Sequence, residues 1–423
     1  MKKKLLATVL IISMVSCLFA AGQAESSGAK ASVRKTDLLL WLPPFGSADS
    51  LDQVFWTDTL QPWAEKNNVN LAIEITPWGG YEEKYLTGFA SGEGPDVGYM
   101  YLEMFNDFIE MGTLAEIDSY FTEKEKQNYV YWDKGKVKGR QYVLPFIVGN
   151  PRVPFMNMDI LAKAGITEIP VTWDELVAAT VRIKNNVPAV IPFAQEWADP
   201  AIGALNNVYY PYLWQSGGTI YNSDSTAVAL LDNGAAVEAA QFLYDLKFKH
   251  GVISNECMAM AGTQIRDAFI EGRVAIASMD ANSANALEKA GMKNWTFIPS
   301  FQNKTKAIWV ASDSLIMNSA SEHKELAASL MKYITSAPVM TRYHKEIASF
   351  PPITYDEEYN ANPIFKDMFD NDSKYFHTLP VAEGAFMVMD TLYKNLQLMM
   401  LGDLTPEKAI QNTVKYSKSV ISK

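Results

Sequence analysis

The stretch from Leu38 to Tyr101 reads LLLWLPPFGSADSLDQVFWTDTLQPWAEKNNVNLAIEITPWGGYEEKYLTGFASGEGPDVGYMY. The alternation of strand-like and helix-like segments in it predicts the fold class. The stretch begins with the apolar run Leu38–Leu42, which is typical of a strand buried on both faces. Helix-like and strand-like segments then alternate with short links, at residues 50–67, 71–75, 81–90 and 97–101. Such alternation predicts βαβ units and a mainly parallel sheet flanked by helices, hence an α/β fold.

The same alternation continues through the rest of the chain. Thr172-Trp-Asp-Glu175 is a capping box that begins a helix, and Gly251 ends a helix predicted over residues 236–250. A short strand is predicted at residues 272–278, and Thr405-Pro406 begins the last helix.

The first 24 residues have the layout of a signal peptide. Three lysines precede an apolar run, and small residues follow as far as Ala24, where we predict cleavage. A membrane anchor is the alternative, although the apolar run is barely long enough to span a bilayer.

Cys17 offers a second alternative, lipoprotein processing, because the residues before it loosely match a lipobox. We favour export as a soluble periplasmic or extracytoplasmic protein. Residues 25–36 are small and polar and are predicted to be a tether. Cleavage after Ala24 leaves Cys257 as the one mature cysteine, which excludes an internal disulfide.

Composition excludes several classes of function. The 423-residue chain has a net charge of −11, so it has no general attraction for nucleic acids or anionic membranes. Four scattered histidines and two cysteines do not form a spaced zinc site, and phosphate-loop, nucleophile-elbow and dinucleotide motifs are absent from the sequence. We therefore expect no metal and no cofactor.

Candidate ligand-binding residues follow the predicted strands, because ligands of open α/β sheets bind beyond the carboxyl ends of the strands. Phe45 follows the first strand, Trp78 and Tyr81 follow the second, and Glu103 follows the third. Aromatic rings together with acids suit sugars, which have an apolar face and hydroxyl edges. Packing at a rim is the alternative for the aromatic residues.

Further candidates come from the second half of the chain. Glu196 and Trp197 follow an apolar run, and Asp280 and Asn282 follow the strand predicted to end near residue 278. Surface loops are the alternative for both pairs. For Trp309 a place in the core is the favoured alternative to a ligand platform.

Several segments in a characteristic order resemble the extracellular solute-binding proteins of bacterial ABC importers, specifically the carbohydrate-binding group that includes maltose-binding protein. The most specific are FMNMDILAKAG at residues 155–165 and PVTWDEL at residues 170–176. The others are ASGEGPDV, MGTLAEID, GRQYVLPF, QSGGTIY, AFIEGRVA and LTPEKA, at residues 90–97, 111–118, 139–146, 215–221, 268–275 and 404–409.

The resemblance implies a two-lobed periplasmic-binding-protein fold with a multi-strand hinge. It places residues 37–147 and about 305–350 in the first lobe, and residues 148–304 and about 351–423 in the second. It also implies a monomer that delivers its ligand to a membrane permease driven by a separate ATPase.

The resemblance also bears on single residues. It implies ligand contacts for Glu103, Asn150 and the Glu196–Trp197 pair. Asn282, Met387 and Met100 stand about where maltose-binding protein has stacking tryptophans, which argues against a maltodextrin.

We therefore expect an exported protein that captures a mono- or oligosaccharide between its lobes and performs no chemistry. One alternative is a cationic ligand such as a polyamine, because acids and aromatic rings also bind ammonium groups. A secreted glycosidase is a further alternative, whose paired carboxylates would come from Glu103, Glu196, Asp280 and Glu383. A protein that presents a ligand to a chemoreceptor, or a purely structural surface protein, could share the same fold.

Overall fold

The computed structural model describes residues 36–46, 48–137, 139–358 and 363–421. The predicted signal peptide, Cys17 and the tether as far as residue 35 lie outside the described residues. Among the helices that are described, none combines the length and the apolar character that a membrane span requires.

Strands and helices alternate along the chain. The first part contains β1 (Thr36–Leu42), α1 (Asp49–Lys66), β2 (Val69–Ile75), α2 (Tyr81–Ser91), β3 (Val97–Met100), α3 (Leu102–Glu110), α4 (Glu123–Asn128), β4 (Lys136–Val137), β5 (Arg140–Gln141) and β6 (Val143–Gly149). The middle part contains β7 (Arg152–Asn157), α5 (Met158–Lys163), α6 (Trp173–Asn186), β8 (Ile191–Ala194), α7 (Leu205–Val208), α8 (Tyr210–Gln215), α9 (Ala235–Phe248), α10 (Gly262–Ile270), β9 (Val274–Asp280), α11 (Ser283–Lys289) and β10 (Trp295–Phe297). The last part contains β11 (Ile308–Trp309), β12 (Ala311–Met317), α12 (Lys324–Ile334), α13 (Ala337–Glu346), α14 (Pro363–Asp372), β13 (Phe376–His377), α15 (Ala385–Leu401) and α16 (Pro406–Val420).

Local signals in the sequence set several of these boundaries. The Thr172 hydroxyl accepts a hydrogen bond from the Glu175 amide at 3.2 Å, and the Glu175 carboxylate accepts one from the Thr172 amide at 3.0 Å, which confirms the capping box. Thr405 caps α16 in a similar way, through the amide of Lys408. Gly402, at φ +93°, ends α15 in the left-handed conformation that favours glycine.

Two sheets form the centres of two lobes. The first has the strand order β2-β1-β3-β12-β6, and only β12 runs against its neighbours among these five strands. The second has the order β10-β7-β9-β8, and there β7 runs against β9 and β10, whereas β8 and β9 are parallel. The α/β class and the shared direction of most strands are as the sequence predicts.

The reversed strand in each sheet has a physical origin. β7 and β12 are the strands by which the chain enters a lobe after crossing from the other one. A crossing begins at the edge where the other strands end, so the strand that follows it must run in the opposite direction. Each sheet is consequently mixed, with a single reversed strand.

The crossings pack against one another and form the hinge region. Ala311, at the start of β12, pairs with Gly149, the last residue of β6. Gly149 has φ +84°, and a Cβ atom added there would lie 2.5 Å from Cγ of Pro351, on a third segment. Glycine is therefore required at 149 both by the backbone conformation and by the close approach. The exact lobe boundaries remain a prediction.

Candidate functional site

A cleft with a volume of about 460 Å³ lies at the carboxyl ends of the strands, between the two sheets. The first lobe contributes the loops after β1 and β2 and residues next to β3, and the second contributes residues that follow β8 and β9. Its larger polar and aromatic side chains are Phe45, Trp78, Tyr99, Tyr101, Asn150, Arg152, Glu196, Asp199, Asn206, Asn207, Arg266, Asp280, Asn282, Trp309 and Asp313.

The first-lobe wall is aromatic. The loop after β1 is held at the start of α1 because the carboxylate of Asp52 accepts hydrogen bonds from the amides of Phe45 at 3.1 Å and Gly46 at 2.7 Å. Trp78 donates from Nε1 to the carbonyl of Pro44 at 3.0 Å, and its ring meets that of Phe45 edge to face, with centroids 5.5 Å apart. Both rings are only half-buried and therefore offer apolar surface to the cleft.

The floor of the cleft is formed where the chain crosses between the lobes. The guanidinium carbon of Arg152 lies 4.8 Å from the centroid of the Trp309 ring. Asp313 accepts a hydrogen bond from the Tyr99 hydroxyl at 2.7 Å. Burial raises the pKa of Asp313 to about 7, although the Tyr99 hydrogen bond and the charge of Arg152 act in the opposite direction.

The second-lobe wall carries acids and amides. Burial and the neighbouring Asp199 raise the pKa of Glu196 to about 8, and a 2.6 Å hydrogen bond from Nδ2 of Asn207 opposes that shift. The loop that carries Glu196 is fixed from behind by α15, because Tyr393 donates its hydroxyl to the carbonyl of Asp199 at 2.7 Å. Gln397 donates to the carbonyl of Trp197 at 2.9 Å.

Seven polar atoms in the wall are buried and have no hydrogen-bond partner within the described part of the chain. Three are donors, namely Nε of Arg152, Nε1 of Trp309 and Nε of Arg266, the last of which forms only a long ion pair of 3.5 Å with Asp267. Four are acceptors, namely Oδ1 of Asn150, Asn206, Asn207 and Asp313. Because unpaired polar groups are costly to bury, this mixed set indicates a surface arranged for a ligand with both donors and acceptors.

The cleft brings together seven of the ten residues that the sequence singled out: Phe45, Trp78, Asn150, Glu196, Asp280, Asn282 and Trp309. The other three, Tyr81, Glu103 and Trp197, are buried elsewhere and do not line it. Tyr81 starts α2 facing inward and donates its hydroxyl to the carbonyl of Tyr99 at 2.8 Å. Glu103 lies on the buried face of α3, and Trp197 is buried in the hydrophobic core.

Glu103 is nevertheless chemically unusual. Among the described residues neither of its carboxylate oxygens has a hydrogen-bond partner. Burial, together with the carboxylates of Asp313 and Glu82, raises the pKa of Glu103 to about 8.

Eight of the larger polar and aromatic residues in the wall are not among the ten candidates: Tyr99, Tyr101, Arg152, Asp199, Asn206, Asn207, Arg266 and Asp313. Asp199 stands three residues after Glu196, and Arg152 stands two after Asn150, so proximity to predicted site residues is the only signal that could have found them. Arg266 and Asp313 have no such neighbour in the sequence, because folding alone brings them to the cleft. No group of histidine, cysteine, aspartate and glutamate side chains that could hold a metal occurs in the described ranges.

Comparison with known proteins identifies the family. The family model of the bacterial extracellular solute-binding proteins matches residues 46–341. The chain belongs to this family. The match includes every residue in the wall of the cleft except Pro44 and Phe45, which directly precede it.

Individual relatives of this solute-binding protein resemble it over nearly its whole length. The galactooligosaccharide-binding protein of Bacillus subtilis is 21% identical over 447 residues, which cover 100% of this chain and 98% of the relative. A second relative is a solute-binding protein of an ABC transporter from Thermotoga lettingae, which was solved with α-D-tagatose. Its structure superposes with a TM-score of 0.77 at 22% identity, and the match covers 92% of this chain and 100% of that protein. A maltose-bound protein of T. maritima has a TM-score of 0.79 at 20% identity, and the match covers 91% of this chain and 99% of that protein. These two structures share the two-lobed fold of this chain.

Proposed function

We propose that this solute-binding protein captures a carbohydrate in the cleft between its lobes and delivers it to the permease of an ABC importer. The observation that carries the proposal is the mixed set of buried donors and acceptors in the wall that lack a hydrogen-bond partner among the described residues. A sugar hydroxyl both donates and accepts, so one ring can satisfy both kinds of group.

The aromatic residues of the cleft support the same class of ligand. The half-buried rings of Phe45 and Trp78 offer flat apolar surface that can stack on the C–H face of a sugar ring. The names of three similar proteins point in the same direction, since one is a galactooligosaccharide-binding protein and two were solved with tagatose or maltose. A polyamine fits less well, because Nε of Arg152 and Nε1 of Trp309 are donors without a partner among the described residues, and an ammonium group offers them no acceptor.

The mechanism that we propose is closure about the crossings. A ligand that contacts Trp78 of the first lobe and Glu196 of the second stabilises the closed arrangement, and the permease recognises that arrangement. Binding alone is required of these residues, so the sugar leaves the cleft chemically unchanged. We further propose that the protein acts as an exported monomer.

A thermal-shift screen of the protein against neutral sugars, polyols and polyamines tests the proposal. Binding to the folded state alone adds about 2.7 kcal/mol of stability at a hundredfold excess over Kd. We expect a large rise in Tm with one sugar or a few related sugars, and mass spectrometry should recover the sugar unaltered. A rise with polyamines only, or hydrolysis of the sugar, would contradict the proposal.

A further inference from the structure

Three contacts between the lobes surround the cleft, and the first lies beside its aromatic wall. The amide of Ile202, which follows β8, donates to Oε1 of Glu82 on α2 at 3.2 Å. The same carboxylate oxygen accepts a hydrogen bond from the hydroxyl of Tyr101. Next to this contact the loops approach closely, since a Cβ atom added to Gly79 would lie 3.8 Å from Cγ of Pro200.

The second contact lies beside Phe45. Asn282, which follows β9, donates from Nδ2 to the carbonyl of Phe45 at 3.0 Å and accepts from the amide of Ser349 at 3.2 Å. Asn285 on α11 donates to the hydroxyl of Ser349 at 2.9 Å. The second lobe is therefore hydrogen-bonded both to the loop after β1 and to the segment after α13.

The third contact joins α3 to α15. The carboxylate of Asp107 lies near backbone amides at the start of α15, those of Gly384, Phe386 and Met387, which favour its charged form. The two helices pack together there, and a helix N-terminus favours a negative charge. Burial raises the pKa of Asp107 to about 6, although these amides act in the opposite direction.

These contacts leave a limited space. In the described chain, no residue of α3 or α15 lines the cleft, because the two helices contact each other instead. The volume of about 460 Å³ lies towards the small end of the range of about 300–1,000 Å³ that is usual for small-molecule sites. A ligand that extended past the cleft at these places would have to separate Glu82 from Ile202, Phe45 from Asn282, or α3 from α15.

We propose that these three contacts restrict the cleft to a saccharide of one or two rings, and that Glu82 and Asp107 are specificity-determining residues for ligand length. The proposal rests on the carbohydrate function proposed above. Neither residue lines the cleft, so each limits the length of the ligand by holding the lobes together at its ends.

Isothermal titration calorimetry with series of increasing length tests the restriction. The probes are glucose, maltose, maltotriose and maltotetraose, and galactose, lactose and a galactotriose. We expect binding of one-ring or two-ring sugars and affinities at least a hundredfold weaker for their three-ring and four-ring homologues. A trisaccharide that binds as tightly as its disaccharide would overturn the restriction while leaving the carbohydrate function intact. Failure of every sugar in this series and in the wider screen to bind would overturn the carbohydrate function itself.

The double variant Glu82→Ala/Asp107→Ala tests the two residues. We expect the affinity ratio of trisaccharide to disaccharide to rise at least tenfold, because the carboxylate interactions of two of the three contacts are removed. Glu83→Ala is the matched control, since Glu83 is the next residue of α2 and is exposed. The ratio is measured within one protein, so a change in overall stability does not alter it. An unchanged ratio in a folded double variant would overturn the assignment, and the wild-type length series remains decisive if the variant does not fold.

Discussion

Arg152 lies over the indole ring of Trp309, with its guanidinium carbon 4.8 Å from the ring centroid, where the chain crosses between the lobes. The contact orients a cation in the floor of the cleft, and Nε of Arg152 and Nε1 of Trp309 both lack partners among the described residues. The guanidinium charge also opposes the raised pKa of Asp313. The Arg152 side chain therefore contacts the ring of Trp309 and also lowers the pKa of the buried Asp313, at the place where the chain crosses between the lobes.

Replacing Arg152 by Gln should weaken sugar binding about tenfold to a hundredfold, because a hydrogen bond from a charged group contributes about 1.5–3 kcal/mol. Arg152→Lys should recover only part of the loss, since lysine lacks the planar guanidinium that stacks on Trp309. Calorimetry with the sugar identified in the screen measures both. Arg140→Gln, at an exposed site paired with Glu116, is the control and should leave Kd unchanged. Equal affinities for Arg152→Gln and the wild type would disprove a binding role.

Trp78→Ala should raise Kd by one to two orders of magnitude, because it removes apolar surface that contributes about 1–3 kcal/mol when covered. Trp78→Phe should retain most of the affinity. Trp295→Ala is the matched control, since the Trp295 indole also donates to a backbone carbonyl, that of Met292, but the residue does not line the cleft. If both alanine variants lose affinity to the same extent, the effect is one of stability and not of ligand contact.

The stability of the protein should fall as the pH rises from about 5 to 9. Burial raises the pKa of Glu103 to about 8 from an ordinary value near 4.3 in the unfolded chain, so the folded state binds more protons between these values. The resulting stabilisation is complete below the unfolded pKa and is lost as the pH rises through the folded one. Glu196 and Asp313 act in the same direction.

Glu103→Gln should therefore show a smaller fall in Tm over this range, and a higher Tm than the wild type at pH 9. Scanning calorimetry at steps of one pH unit measures both effects. Glu93→Gln, an exposed site, is the control and should follow the wild-type curve. A Glu103→Gln profile that parallels the wild type would show that Glu103 does not carry the pH dependence.

Thr172→Ala should lower the free energy of unfolding by about 1 kcal/mol, because it removes the side-chain half of the capping box at the start of α6. Thr172→Ser keeps the hydroxyl and should cost less. Urea denaturation followed by circular dichroism gives the difference between the two variants. An alanine variant as stable as the serine variant would show that the cap contributes nothing to the folded state.

Part of the cleft could be predicted because its residues follow strands directly. Phe45, Trp78, Asp280 and Asn282 stand at strand ends that the apolar runs reveal, and the carboxyl ends of parallel strands meet at one edge. The same rule also selected Glu103, which α3 turns into the core. Position along the chain indicates which edge of the sheet a residue occupies, whereas the rotation of the following helix determines which way its side chain faces.

Apolar periodicity and caps are local properties, and from them the sequence by itself determined the alternation of strands and helices, the helix ends at Thr172 and Gly402 and the edge of the sheets where a ligand binds. Only the tertiary structure decided that Arg152, Trp309 and Asp313 share the floor of the cleft, and that Glu82 and Asp107 reach the opposite lobe. Pairs such as Glu82 and Ile202 are 120 residues apart, and no local pattern encodes a contact that exists only when two separately built lobes meet.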